Sequence, residues 1–134
     1  MILLDTHVVV RYLAGDRKLG RRAVAAIDKE LADGEVFVSA ISFWEIAMLV
    51  AKDRLGIDMT VPALRVLALR HGILEEVVDG EVAIAAGELV DAHGDPADRI
   101  LVATAMLRGL VLVTADQVLL DWKLRGFRTR DATT

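Results

Sequence analysis

The amino-acid sequence predicts an α/β protein in which a parallel sheet of four to five strands carries helices on both faces. Short apolar runs alternate with longer amphipathic segments along the 134 residues. Each run is apolar nearly throughout, which is typical of parallel strands that are buried on both sides. Hydrophobic residues make up 54% of the chain and aromatic residues only 4%, so aliphatic side chains must fill the core. No repeat or linker interrupts the pattern, and we therefore expect one domain over residues 1–134.

Strands are predicted where the apolar runs are short and uninterrupted. In chain order they are residues 2–5, 36–39, 73–78, 110–114 and, as a candidate edge strand, 127–129. Residues 7–15, HVVVRYLAG, fit two structures. Three consecutive valines favour a strand, whereas Arg11, Leu13 and Gly15 fit a short helix that ends at a glycine cap. Both structures remain open for this segment.

Helices are predicted where apolar residues recur every three or four positions. In chain order they are residues 20–34, 42–53, 61–72, 81–94, 96–109 and 116–124. Pro62 lies in the first turn of one helix, and Pro96 begins another directly after Asp95, a favoured N-cap residue. Four of these segments end at a glycine, a position where a left-handed C-cap is common. The glycines are Gly34, Gly72, Gly94 and Gly109.

The composition excludes several kinds of site. The chain has no cysteine, which excludes disulfides, thiolate metal sites and a cysteine nucleophile, and which agrees with a reducing cytoplasm. Asp5 interrupts the apolar start, so we expect no signal peptide, and Arg108 and Gly109 break the longest uncharged stretch, so we expect no membrane span. The net charge of −4, from 16 basic and 20 acidic residues, argues against a nucleic-acid binder unless some acids hold cations. The basic stretches 16–22 and 123–130 are interpreted as solvated surface.

Four acids lie at the end of a predicted strand or at the start of the helix that follows it. They are Asp5, Glu45, Asp98 and Asp116. Each also has a purely structural interpretation: Asp5 and Asp116 can cap helices, and the charge of Asp98 suits a helix N-terminus. Glu45 follows Ser42 by three residues, and this spacing has the form of a capping box. Asp95 is expected to be a structural N-cap alone.

Helix capping does not explain why all four acids fall at one edge of the predicted sheet. The carboxyl ends of parallel strands meet at that edge, so the four carboxylates are expected to lie together. Carboxylates packed in this way repel one another and take up protons or a cation. Oxygen ligands without cysteine suit Mg²⁺ or Mn²⁺, and clusters of this kind serve hydrolysis or transfer at phosphate. The sequence therefore predicts a divalent-metal site.

Four stretches of the chain resemble a known family. LLDTHVVV, VSAISFWEIA, DPADRILVATA and LVTAD resemble, in order and spacing, the PIN-domain ribonucleases, and most closely the VapC-type toxins of toxin–antitoxin pairs. The resemblance covers nearly the whole chain and implies a PIN-like nuclease domain that cleaves RNA phosphodiesters with metal-activated water. It implies that Asp5, Asp98 and Asp116 bind one or two Mg²⁺ or Mn²⁺ ions and that Glu45 completes the ligand shell or orients the water. It further implies an RNA substrate, a cognate antitoxin and a homodimer. The interrupted apolar stretch and the absence of cysteine, rather than the resemblance, lead us to expect no membrane partner and a cytoplasmic location.

Residues beside the four acids have competing interpretations. Thr6 and Thr114 are either turn hydroxyls or hydrogen-bond donors to ligating carboxylates. Arg99 is expected to form a surface salt bridge rather than to contact phosphate. None of the three histidines is expected to be catalytic, because orientation, packing or a helix C-terminus accounts for each; they are His7, His71 and His93.

Other functions compete with this interpretation. A phosphotransfer receiver domain has a similar acidic crevice but requires a lysine after the last strand, where the chain offers only Arg128 and Arg130. A haloacid-type phosphatase requires an aspartate two residues after Asp5, where His7 stands. A PIN-like module that binds RNA or a partner without cutting, and a housekeeping PIN nuclease, remain as alternatives to the toxin.

Overall fold

The computed structural model describes residues 1–89 and 94–134 of the chain. Within these ranges the chain forms five strands: β1 (Ile2–Leu4), β2 (Val36–Ser39), β3 (Leu74–Glu76), β4 (Val111–Thr114) and β5 (Arg128–Asp131). The same ranges contain seven helices: α1 (Thr6–Ala14), α2 (Arg21–Ala32), α3 (Ala40–Ala51), α4 (Val61–Arg70), α5 (Gly80–Glu88), α6 (Pro96–Arg108) and α7 (Gln117–Asp121). No helix in the two ranges is long and apolar enough to cross a membrane.

The five strands form one parallel sheet in the order β3-β2-β1-β4-β5. In the centre of the sheet, Ile2 of β1 pairs with Val36 of β2 on one side and with Val111 of β4 on the other. The chain extends the sheet from β1 to β3 and then returns to β4 on the opposite side of β1. The carboxyl ends of β1 and β4 therefore flank the point where the winding reverses, and open α/β sheets bind ligands at such points.

The core lies on both faces of the sheet, as predicted. Because neighbouring side chains of a strand point to opposite faces, Leu4 packs in one apolar cluster and Leu3 in another. Leu4 shares its cluster with Ile27 of α2 and Ile46 of α3, whereas Leu3 packs with Leu101 of α6. Both leucines of β1 are fully buried, and each contributes about 1.5–3 kcal/mol to folding. The fold class predicted from the sequence is confirmed.

Most of the predicted elements are confirmed with small shifts at their ends, including the candidate edge strand, which is β5. The open segment 7–15 is helical and forms most of α1. Gly15 ends this helix with φ of 65°, a left-handed conformation that a residue with a Cβ rarely adopts. The helix thus accounts for the three consecutive valines, because Val8 and Val9 are buried in the core.

The predicted start of α3 is wrong. The helix begins at Ala40, not Ser42, and its N-cap is Ser39, whose hydroxyl oxygen accepts a hydrogen bond from the Ile41 N–H at 3.1 Å. The capping box predicted for Ser42 and Glu45 therefore does not form. Ser42 is buried instead and accepts a hydrogen bond from the Thr6 hydroxyl at 2.9 Å, which joins α1 to α3.

The predicted end of α5 is also wrong. The sequence predicts a helix to Gly94, whereas α5 ends at Glu88 because Leu89 has an extended backbone with ψ of 127°. Residues 90–93 of the predicted helix, which include His93, lie outside the described residues. The following helix, α6, begins as predicted after Asp95 and ends at Gly109, which has φ of 67°.

Candidate active site

A cleft of about 290 Å³ lies at the carboxyl edge of the sheet, and we refer to it as the acidic cleft. Its lining consists of Asp5, His7, Arg11, Glu45, Asp95, Asp98, Ala115 and Asp116. All four acids predicted from the sequence are in this set, although they come from four separate parts of the chain. The parallel sheet brings Asp5 and Asp116 together, because each directly follows the carboxyl end of a central strand. Glu45 reaches the cleft from the second turn of α3, and Asp98 from the first turn of α6, which follows α5 and not a strand as the sequence predicted.

Asp5 lies directly after β1 at the base of the acidic cleft and is only 8% exposed. One of its oxygens, Oδ1, accepts a hydrogen bond from the Thr6 N–H at 2.7 Å, so Asp5 is the N-cap of α1. The other oxygen, Oδ2, accepts a hydrogen bond from the Thr114 hydroxyl at 2.6 Å. Burial raises the pKa of Asp5, and these two hydrogen bonds and the nearby His7 oppose the increase. Asp5 is therefore a cap and a cleft residue together.

Thr114, the last residue of β4, connects two of the acids. Its hydroxyl donates to Asp5 and accepts a hydrogen bond from the Asp116 N–H at 3.0 Å. The expectation that a threonine hydroxyl contacts a candidate ligand thus holds for Thr114. It fails for Thr6, whose hydroxyl donates to Ser42, so that only its backbone N–H reaches a carboxylate.

Asp98 lies in the first turn of α6 and is partly buried. Burial is the largest cause that raises its pKa to about 7, and the carboxylates of Asp95, Asp5, Asp116 and Glu45 raise it further. All of the other cleft acids are thus close enough to Asp98 to disfavour its charge. The neighbouring Asp95 is the N-cap of α6, as predicted, and accepts hydrogen bonds from the N–H groups of Ala97 and Asp98 at 2.9 and 3.3 Å.

Glu45 and Asp116 complete the set of acids. Glu45 lies in the second turn of α3, where it has no role in capping, since Ser39 is the N-cap. Asp116 is the N-cap of α7 and accepts a hydrogen bond from the Val118 N–H at 2.9 Å, so it has the structural role that the sequence predicts as well as a place in the cleft. The capping box with Ser42 was the only structural role that the sequence predicted for Glu45, and the structure excludes it.

The donor chemistry of the acidic cleft suits a hard divalent cation. Its acids offer only carboxylate oxygens, which Mg²⁺ and Mn²⁺ prefer, and their mutual repulsion is of the kind that a bound cation relieves. Among the described residues, however, no group of three or more His, Asp or Glu side chains is arranged closely enough to hold a metal ion as it stands. Ligation therefore requires the carboxylates to move closer together around the ion.

Arg99, which follows Asp98 on α6, binds backbone carbonyl oxygens and forms no salt bridge with the residues that the structure describes. Its guanidinium donates to the carbonyl oxygens of Ala86 and Gly87, both at 3.0 Å, and to that of Leu89 at 3.4 Å. These carbonyls end α5, where unsatisfied acceptors and the helix dipole favour a cation. Arg99 thus joins the C-terminus of α5 to the N-terminus of α6, and within residues 1–89 and 94–134 the predicted salt bridge does not form.

The cleft also contains one functional candidate that the sequence did not single out. Arg11 lines the cleft from α1, on the same helix as His7, which is exposed there. The two residues are four positions apart and so share a helix face. The sequence reveals this spacing of His7 and Arg11 only when residues 7–15 are interpreted as a helix. His71 is the C-cap residue of α4, away from this lining, as expected.

Comparisons with known proteins agree with this fold. The family model of the PIN domain matches residues 2–122. The chain is 38% identical over 118 residues to Ribonuclease VapC22 of Mycobacterium tuberculosis (strain ATCC 25618 / H37Rv), and the match covers 87% of each chain.

Solved structures share the architecture at lower sequence identity. DNA-bound VapBC from Salmonella typhimurium matches with a TM-score of 0.67 and 18% identity, and VapBC2 from Rickettsia felis bound to a promoter DNA fragment matches with 0.67 and 14%. Each match covers 98% of both chains. FitAB bound to the IR36 DNA fragment matches with a TM-score of 0.58 and 22% identity, over 100% of this chain and 96% of the other. The chain belongs to the PIN-domain family, as a relative of the VapC ribonucleases.

Proposed function

We propose that the chain is a divalent-metal-dependent endoribonuclease and the toxin of a type II toxin–antitoxin pair, acting in the cytoplasm as one domain over residues 1–134. The observation that carries the proposal is the acidic cleft, which brings Asp5, Glu45, Asp98 and Asp116 together from four separate parts of the chain, so that the other three raise the pKa of Asp98. The 38% identity to a protein named as a ribonuclease supports RNA as the substrate. The structural matches to VapBC complexes support a cognate antitoxin as partner.

The metal ligands in this proposal are Asp5, Asp98 and Asp116, with Glu45 either completing the shell or orienting the water. A bound Mg²⁺ or Mn²⁺ supplies an activated water at neutral pH and offsets negative charge on the phosphate oxygens. The carboxylates come from the chain's own family motifs, and the rest of the fold positions them. The most buried of these, Asp5, forms the base of the site.

Asp5 is held in one orientation by hydrogen bonds to both of its oxygens. The Thr6 N–H fixes Oδ1 and the Thr114 hydroxyl fixes Oδ2, and each oxygen keeps a further lone pair that can face a cation. Because Thr114 also accepts from the Asp116 backbone, the same hydroxyl sets the spacing between β1 and the turn that carries Asp116. Such outer hydrogen bonds orient ligands and increase their affinity for metal.

Asp98 supplies the charge that responds most to a cation. With a pKa of about 7, it carries a proton for part of the time at neutral pH, and a cation beside it favours loss of that proton. Its place in the first turn of α6 is fixed independently by the Asp95 cap. Asp95 and Asp98 therefore divide two roles between them, with the first holding the helix and the second facing the ion.

A cleavage assay with a matched pair of variants tests the proposal. Purified protein is incubated with a mixed RNA pool in Mg²⁺ or Mn²⁺, with EDTA as the control, and wild type is compared with Asp98→Asn and Asp95→Asn. Both substitutions remove one carboxylate from the cleft lining, and asparagine is as good an N-cap as aspartate. We expect metal-dependent cleavage by wild type and Asp95→Asn, and none by Asp98→Asn, with neither variant melting below wild type in the metal-free state.

Other outcomes distinguish the alternatives. Normal cleavage by Asp98→Asn would contradict the assignment of the site, and cleavage that survives EDTA would contradict its metal dependence. An intact cleft that binds cation but cuts no RNA in the pool would favour a PIN-like module that binds without cutting. We also propose a homodimer, and ultracentrifugation that finds only monomer over a wide concentration range would contradict it.

A further inference from the structure

A second cleft, of about 400 Å³, lies next to the acidic cleft, and we refer to it as the basic cleft. It is formed by the C-terminal half of α1, the turn after it and the first half of α2, and three arginines line it: Arg11, Arg17 and Arg21. Arg11 lines both clefts, so the two adjoin at this residue. A phosphate bound to its guanidinium would therefore lie at the boundary between them.

The three arginines are not used by the fold. Within the described residues, none of their guanidinium groups has a hydrogen bond or an ion pair, whereas Arg65, Arg99 and Arg108 all do. The two acids of the basic cleft are engaged inside the chain: Asp16 accepts a hydrogen bond from the Lys18 N–H, and Asp28 accepts one from the Tyr12 hydroxyl. With three arginines against these two carboxylates, the lining keeps a net positive charge, which favours an anionic ligand.

Tyr12 supplies an aromatic ring in the same lining. Its hydroxyl is held by Asp28, and its ring contacts the edge of the His71 ring with centroids 5.9 Å apart, so its position is fixed from two sides. Leu19 and Val24 add apolar surface beside it. A fixed aromatic ring next to arginines is the combination that binds single-stranded RNA, with bases on the ring and phosphates on the cations.

We propose that the basic cleft binds one nucleotide unit of the single-stranded RNA next to the phosphodiester that is cut. The base lies against Tyr12 and the apolar lining, and the flanking phosphates contact Arg17 and Arg21. Arg11 holds the phosphate that passes between the two clefts. The inference rests on the proposed function for its substrate class, and it assigns a binding role to part of the basic stretch 16–22, which the sequence alone predicts as solvated surface.

An equilibrium binding experiment tests the subsite without any cleavage. A fluorescently labelled single-stranded RNA is titrated with protein in EDTA, and its anisotropy is followed over a range of salt concentrations. Wild type is compared with Arg17→Gln/Arg21→Gln and with Arg70→Gln/Arg125→Gln, which removes two exposed arginines outside both clefts. We expect the first pair to weaken binding and to reduce the slope of log affinity against log salt by about 1.4, since each phosphate contact on a single strand contributes about 0.7.

The control pair is expected to bind RNA as wild type does. Equal affinity and equal salt slope for all three proteins would overturn the inference, as would an equal loss in both double variants, because the second result indicates a diffuse charge effect. A second comparison addresses the ring: Tyr12→Phe should keep the affinity, and Tyr12→Leu should weaken it about tenfold, at the lower end of the effect of removing a stacking aromatic. Melting temperatures check that Tyr12→Leu remains folded, since Tyr12 also packs on the core.

The result separates this inference from the proposed nuclease. Arginine-dependent RNA binding by a protein that cuts no RNA in Mg²⁺ would contradict the nuclease and support the subsite. Cleavage that requires Asp98, together with RNA affinity that is unchanged in Arg17→Gln/Arg21→Gln, would support the nuclease and contradict the subsite.

Discussion

Two groups of acids in this protein are placed in opposite electrostatic settings. In the first, Arg108 at the end of α6 lies 3.5 Å from Glu76, 3.3 Å from Asp79 and 3.9 Å from Glu81, and we refer to these four residues as the Arg108 cluster. In the acidic cleft, by contrast, the carboxylates raise the pKa of Asp98 to about 7 through burial and mutual repulsion. The first group contains its own cation, which joins the start of α5 to α6.

The difference separates acids that are paired with a cation inside the fold from acids that, in the proposed function, hold a cation from outside. The Arg108 cluster is complete within the chain, and its attraction stabilises the packing of α5 on α6. Carboxylates that raise one another's pKa destabilise the fold at neutral pH unless a cation is supplied from outside. Substitutions in the acidic cleft should therefore reduce activity more than stability, and substitutions in the Arg108 cluster should do the reverse.

After the complete loss expected for Asp98→Asn, the largest effect is expected for Glu45→Gln. Loss of one carboxylate beside the cation should lower the cleavage rate about a hundredfold or more, since the ion supplies several kcal/mol of charge stabilisation. The melting temperature should stay unchanged, because Glu45 makes no hydrogen bond or ion pair to the residues that the structure describes. Single-turnover cleavage and thermal unfolding measure the two effects.

Ser39→Ala is the control for this comparison. It removes the true N-cap of α3 and should lower the free energy of unfolding by about 1 kcal/mol, with cleavage largely retained. If Glu45→Gln lost stability as Ser39→Ala does and still cleaved RNA, the capping role of Glu45 would be restored and its role in the site removed.

A pH-dependent affinity for Mg²⁺ is expected next. Below about pH 7, Asp98 must release a proton before it can bind the ion, so the affinity should fall about tenfold for each unit of pH. Calorimetric titrations between pH 5 and pH 8 in two buffers of different ionisation enthalpy measure the affinity and the proton released. A constant affinity with no proton release below pH 7 would contradict the role of Asp98.

The stability of the metal-free protein should also depend on the ionisation of Asp98. The folded pKa of Asp98, about 7, is above its ordinary value of 3.8, so its contribution to stability is fully present below about pH 4 and is lost as the pH rises through 7. In EDTA, wild type should therefore become less stable relative to Asp98→Asn as the pH increases from 4 to 7. Parallel melting curves with a constant difference would contradict this sign.

Thr114→Val should have an intermediate effect on activity. The valine keeps the shape of the side chain but removes the hydroxyl that orients Asp5 and Asp116, which should reduce metal affinity or activity about 10–100-fold. Thr104→Val is a matched control, because the Thr104 hydroxyl is also buried but donates to the Ile100 carbonyl within α6. Equal activities of the two variants would show that the Thr114 hydroxyl does not act on the site.

The smallest effect is expected for Arg108→Gln. Its partners are partly exposed to solvent, so the loss of its ion pairs should lower the free energy of unfolding by about 1 kcal/mol or less. Cleavage should be unchanged, since Arg108 is absent from the lining of the acidic cleft. Urea unfolding and the same cleavage assay check both, and a large loss of cleavage with normal stability would break the distinction between the two groups of acids.

Much of the site could be predicted because it depends on sheet topology. Parallel strands place their carboxyl ends together, so an acid after β1 and another after β4 must meet whatever the intervening helices do. Asp5 and Asp116 are therefore predictable from strand positions alone. The caps at Asp95 and Gly109 were predictable for a similar reason, since they depend only on backbone groups of their own helix.

The errors concern residues whose roles depend on distant parts of the chain. Ser39 and Ser42 are equally good caps in isolation, but in the structure Ser39 caps α3 while Ser42 bonds to Thr6 of another helix. Likewise Arg99 binds the last carbonyls of α5, and the sequence does not indicate where α5 ends or that this end lies beside α6. Local patterns cannot choose between partners of this kind.

Whether the acids of the cleft hold a divalent cation is measured by a calorimetric titration of Mn²⁺ into the metal-free protein at pH 7.5. We expect one or two ions to bind to wild type and to Asp95→Asn, and affinity weaker by at least about tenfold in Asp98→Asn. Equal binding by wild type and Asp98→Asn, or no binding by wild type at millimolar Mn²⁺, would contradict this expectation.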